Sequence, residues 1–146
     1  MPRALLGLLA GLAATGCMTL WEVLLFRKYG LPGCLDWDIN QHFLSRLNRR
    51  EPQANLRLGL VVHGIVGVAV GIGFSWLVPP RSTCALTLTG ELVGVALWLL
   101  LLPLRKVFTG LGPRDGPLGI VPVLASLLGH LAFGLIMGAV VAFGSS

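Results

Sequence analysis

The sequence predicts an all-α integral membrane protein: a bundle of four transmembrane helices, with a short amphipathic helix in the first loop. Three observations carry this expectation. Hydrophobic residues make up 55% of the 146-residue chain and charged residues only 12%, where soluble domains carry about 25% charged residues. A domain this small has too little interior to hide so much apolar surface from water, so the bilayer must supply the solvent. The apolar residues fall into four runs that each approach the ~20 residues needed to cross the hydrocarbon core. The third observation is the glycine content, 20 residues, because membrane helices use small residues where their backbones touch.

The first run covers residues 4–26 and is closed by Arg27-Lys28. Its beginning resembles a secretory leader, and Ala14-Thr15-Gly16-Cys17 has the look of a lipoprotein cleavage box. The apolar stretch nevertheless continues through Phe26, which favours a spanning helix. The second run covers 58–78, opened by Arg57 and stopped by Pro79-Pro80; the third covers 85–104 and is closed by Arg105-Lys106. The fourth covers 118–143 and follows a Gly- and Pro-rich turn from Gly110 to Pro117. Pro103 and Pro122 fall near helix ends, where a missing N–H is tolerated.

Only the first loop is long. Asp38 followed by Gln41 resembles a capping box. Over 38–50, Ile39, Phe43, Leu44 and Leu47 share one helical face, with Arg46, Arg49 and Arg50 at its edges. This pattern predicts a helix lying in the membrane interface, anchored by Trp37, with docking of a partner subunit as the alternative role. Trp76 fits the aromatic belt of the opposite interface.

Basic residues set the expected orientation. The first and third loops hold nine of them, from Arg27 to Arg114, while the other side holds Arg3 and Arg81. The positive-inside rule therefore places both termini outside the cytoplasm, in a multi-pass protein of the cell membrane. The same distribution argues against nucleic acid, since the net charge of +5 flanks apolar runs instead of forming a stripe. Cys17, Cys34 and Cys84 lack zinc or disulfide spacing. No phosphate loop, catalytic triad pattern or nucleic-acid motif appears, and short loops leave little room for hydrolytic or transferase chemistry.

Two stretches echo one another: His63 to Gly71 and His130 to Gly138 both fit His-x-x-x-Gly-x-x-x-Gly. Trp21 and Trp98 occupy the ends of the helices that precede them. A duplicated helical hairpin is one expectation from this; chance similarity of apolar sequence is the other. Each spanning run carries a pair of glycines four residues apart: Gly7 and Gly11, Gly67 and Gly71, Gly90 and Gly94, Gly134 and Gly138. They predict close backbone approach, within the bundle or between protomers.

The ionisable side chains inside the runs are Glu22, His63, Glu91 and His130. A charge in hydrocarbon costs about 2.5–3.5 kcal/mol on insertion scales, so each is a candidate functional residue. At 1.5 Å per residue, Glu22, His63 and His130 fall roughly 8–12 Å inside the same boundary, with Glu91 near the opposite mouth. His63 and His130 suit axial ligation of haem b. Together with Glu22 they suit a transition metal such as zinc or iron. Glu22, and Glu91 at the far mouth, suit proton or ion handling in an oligomeric transporter or channel. The fourth reading is polar contact between helices without chemistry. The leading expectation is a non-catalytic accessory or assembly subunit, contacting lipid and other membrane subunits or copies of itself.

Overall fold

The computed structural model describes residues 1–30, 36–79, 82–110, 112, 115 and 119–145. Five α-helices account for most of them: α1 (Arg3–Tyr29), α2 (Asp36–Asn48), α3 (Leu56–Leu77), α4 (Thr83–Thr109) and α5 (Val121–Ser145). A 3-10 turn, Pro52–Asn55, leads into α3. Four of the helices are long and apolar enough to cross a membrane, and no strand occurs among the described residues. The protein is a small multi-pass membrane protein with a four-helix bundle fold.

Helix boundaries differ from the sequence expectation most clearly in α4. It does not stop at Leu104 but continues through Pro103, Arg105 and Lys106 to Thr109, where Gly110 takes a left-handed cap (φ 76°). Pro103 forfeits one backbone hydrogen bond, and contacts with α2 hold the extension in place. The rings of Phe43 and Phe108 meet edge to face at 5.5 Å, and the Arg46 guanidinium lies 5.2 Å from the Phe108 ring centroid. Arg46 also donates to the carbonyls of Val107 and Phe108, at 2.5 and 3.3 Å. A cation on the orphan carbonyls of a helix C-terminus is favourable in itself. The first-loop helix likewise starts at Asp36 and ends at Asn48, short of Arg50. The start expected for the fourth span, Leu118, lies outside the described residues, as do Cys34, Arg81 and Arg114.

The spans pack as a row, α3 against α1, α1 against α5, and α5 against α4, while α2 lies across one end and touches both α3 and α4. The glycine pairs determine the outer two seams. A Cβ on Gly71 would fall 2.4 Å from the Gly7 carbonyl oxygen and 2.6 Å from the Gly11 nitrogen. One on Gly134 would fall 2.3 Å from the Gly90 carbonyl oxygen. All eight glycines of the sequence pattern thus meet backbone or a side chain of the facing helix within the same chain. The hairpins α1–α3 and α4–α5 also pair in nearly equivalent register. Gly71 closes on Gly7 and Gly11, and Gly138 on Leu86 and Thr87; Gly11 stands ten residues before Trp21, and Thr87 eleven before Trp98.

The central seam, α1 on α5, is built differently. Leu6, Ala10, Ala14 and Met18 interdigitate with Phe133, Met137 and Val141 in the main core cluster. Trp21 Nε1 donates to the Ala125 carbonyl at 3.1 Å, pinning the two helices near the α2 end.

Candidate functional site: a lateral cavity between α3 and α4

Because α3 and α4 stand at opposite ends of the row, they share no close seam. The space between them forms a cavity of about 300 Å³. Its floor is Thr15 and Met18 of α1 with His130 and Phe133 of α5. Its walls are α3, through His63, Val66, Gly67 and Val70, and α4, through leucines and Phe108. Ile39, Asn40 and Phe43 of α2 close the basic end. Every lining residue among those described is uncharged apart from the titratable imidazoles.

His63 and His130 reach this cavity from two helices that are not neighbours, at a common height. Thr15 packs on Gly67, one turn beyond His63, and Met18 packs on Gly129, next to His130. Both imidazoles therefore lie near the level of Met18. The His130 ring is buried (3% exposed). Its Nδ1 lies 2.9 Å from the Ser126 carbonyl, and since a carbonyl only accepts, Nδ1 carries the proton. The His63 ring meets the edge of Trp37 at 6.4 Å.

Glu22 is completely buried (0% exposed), but it does not line the cavity. It follows Trp21, whose bond to Ala125 places this level one turn nearer the α2 end than His130. Glu22, His63, Ser126 and His130 are each engaged in at least one further interaction. No three His, Cys, Asp or Glu side chains among the described residues are grouped as a metal centre needs. Glu91 belongs to the other half of α4, its Cα against Gly134, and is only half-buried.

The expected interface residues divide. Trp76 is 60% exposed near the end of α3, and Arg49 and Arg50 are exposed at the end of α2. Trp37 is not a lipid anchor. It is 6% exposed, packed beneath α3 with its carbonyl 3.3 Å from where a Gly59 Cβ would stand. A bare glycine on the first turns of α3 lets α2 come close enough to bury the indole.

Thr15 is the cavity residue that the sequence pattern did not single out. It is 7% exposed, and its Oγ1 has no hydrogen-bond partner among the described residues. Its spacing carries the signal, because Thr15 continues the Gly7–Gly11 stripe by one more step of four.

Asp38 contributes a pH dependence at the closed end. Burial pushes its carboxyl above the usual 3.8, against the opposing pull of His42, whose Nδ1 lies 3.3 Å away, and of Arg105. An acid whose pKa is raised by folding supports the fold fully below its unfolded value, and this support is lost as pH rises through the folded value. Docking of α2 should therefore loosen as pH rises upward from about 4, and Asp38→Asn should remove that component. Trp37 emission in detergent checks this: it should red-shift with rising pH in the parent chain, and less in the variant.

Comparison of the chain with protein-family models, with curated proteins and with solved structures finds no match to any of them.

Proposed function

We propose that this chain is a non-catalytic accessory or assembly subunit of a larger membrane complex, with α2 and the basic loops in the cytoplasm and both termini outside. The observation that carries the reading is the unseamed space between α3 and α4. The glycines that bring helices together are used within the hairpins, yet the two outer helices leave facing sides open to the bilayer. Little of the chain lies outside the spans and α2, so its working surface is this lipid-facing one. Extraction of the native membrane in mild detergent tests the reading. The chain should migrate with a stoichiometric membrane partner whose level falls when the chain is deleted. A lone monomer whose loss changes no other membrane protein contradicts it.

A second reading has its own observation. Two imidazoles at one height, His63 on the wall and His130 on the floor of an apolar cavity, are the residues that would hold a bis-histidine haem b, whose redox potential the surrounding apolar wall would tune. The absorption spectrum of the purified protein tests this. A Soret band lost in His63→Leu and in His130→Leu supports it, and a colourless protein that haemin does not reconstitute rejects it.

A further inference from the structure

We infer that the corner joining α2 to α3 binds the phosphate-bearing headgroup of an anionic phospholipid, through Arg49, Arg50 and Arg57. The inference is independent of the accessory role and needs neither a partner subunit nor a cofactor. The corner is held from several directions. Asn48 Nδ2 donates to Asn55 Oδ1 at 2.7 Å, tying the end of α2 to the start of α3. The Arg50 N–H donates to Asn48 Oδ1 at 3.1 Å, and its carbonyl accepts from the Ser45 hydroxyl. Between them, Arg49 donates its N–H to the Ser45 carbonyl at 2.8 Å and takes a left-handed backbone (φ 56°). It is the one non-glycine to do so among the described residues. Helices α1 and α4 end on Gly30 and Gly110 in that conformation, which glycine adopts without steric cost. An arginine kept there against the strain points to use of its side chain.

The guanidinium groups are available. Arg49, Arg50 and Arg57 are exposed, and among the described residues none of them has a carboxylate within ion-pair distance. Glu51, the one acid of the corner, pairs with none of them. Arg46 differs, because its guanidinium is spent on the carbonyls that end α4. Planar guanidinium forks match phosphate oxygens in geometry and charge. Arg57 stands in the first turn of α3, where the positive end of the helix dipole also favours an anion. Leucines select a lipid over a soluble phosphate: Leu47 is 68% exposed in the last turn of α2, and Leu56 46% exposed at the start of α3. Since α3 is a candidate span that begins here, the arginines stand at its boundary, where acyl chains cover those leucines. A bias of basic residues toward one side of the membrane explains their sign. It explains neither the fixed corner nor the strain at Arg49.

The test titrates the full chain in neutral detergent micelles by calorimetry, with protein-free micelles as the blank. The probes are dioctanoyl phosphatidylglycerol, dioctanoyl phosphatidylcholine, inorganic phosphate and polyglutamate. Saturable binding of phosphatidylglycerol is expected, with phosphatidylcholine about tenfold weaker or worse, the effect of a hydrogen bond to a charged group. Inorganic phosphate and polyglutamate should also bind more weakly. Arg49→Gly should weaken phosphatidylglycerol about fivefold, the effect of one basic residue at an anionic surface. The same variant should resist SDS better than the parent chain, because the strain is relieved, so the loss cannot come from unfolding. Asn48→Ala, which keeps every charge but unties the corner, should weaken phosphatidylglycerol too, while Lys28→Gln at the end of α1 should not. The probe comparison on the unaltered chain holds even if a variant fails to fold. Equal binding of phosphatidylcholine or of inorganic phosphate overturns the inference. Tighter binding of polyglutamate does so as well, and would assign the corner to an acidic protein partner. Asn48→Ala without effect, or Lys28→Gln as damaging as Arg49→Gly, would reduce the site to diffuse charge and overturn it equally.

Discussion

Replacing Gly134 by leucine is expected to unpair α4 from α5 and to be among the most damaging single changes in the chain. The first atom of any side chain there would lie 2.3 Å from the Gly90 carbonyl oxygen and 2.8 Å from the Glu91 Cα. Both are backbone, so no rotamer change relieves the contact and the helices must separate. Overpacking of this kind costs about 1–3 kcal/mol, and a branched side chain on a helix–helix seam falls toward the top of that range. The control is Gly73→Leu on α3, where an added Cβ meets nothing within 4 Å and the cost should stay within about 0.5 kcal/mol. Unfolding in mixed micelles with increasing SDS measures both. Equal midpoints for the two variants would mean that the glycine seam is not what holds the second hairpin together.

The second large effect is expected at Glu22. A completely buried side chain near the α2 end has no route by which a longer cation could reach the interface. Glu22→Lys should therefore cost about 3 kcal/mol, as for a cation held in hydrocarbon. Glu22→Gln keeps the shape and the capacity to hydrogen-bond, and polar contacts between membrane helices contribute only about 0.6 kcal/mol on average. Its stability should lie close to that of the parent chain. The same SDS titration reads both variants. A well-tolerated Glu22→Lys would place the residue in the headgroup region. Glu22→Gln also separates packing from transport: as a packing residue it leaves ion flux in liposomes unaltered, whereas a coupling carboxylate would lose it.

Much of this was legible in the chain itself, for physical reasons. Four apolar runs bounded by charges or prolines allow little else in a bilayer, and glycines four apart necessarily share a helix face. Close backbone approach at these glycines therefore follows from pattern, but their partners, α1 for Gly67 and Gly71 and α5 for Gly90 and Gly94, do not. The common height of His63 and His130 follows from helical rise. Facing direction was less legible. Rise gives depth but not which neighbour a residue meets: Glu22 is buried within about one turn of His130, yet it is not among the residues that line the cavity. Trp37 was read as a lipid anchor because an indole before a basic amphipathic helix usually is one. Gly59, too far along the chain to enter that reasoning, permits its burial instead. The extension of α4 past Pro103 depends on Phe43 and Arg46, tertiary contacts that no local rule contains. The cavity itself arises from the packing order of the row, which no single segment encodes.

That packing order can be tested directly by disulfide formation in native membranes, starting from a chain whose three native cysteines are replaced by serine. Met18→Cys with Gly129→Cys joins α1 to α5, where a Gly129 Cβ would lie 3.5 Å from Met18 Cγ, the atom whose place a cysteine sulfur takes. Val66→Cys with Leu101→Cys faces across the cavity from α3 to α4. The fold described here predicts efficient oxidation of the first pair and none of the second without a spanning linker. Oxidation of the second pair in place of the first would mean that α3 and α4 are packed neighbours and that no lateral cavity separates them.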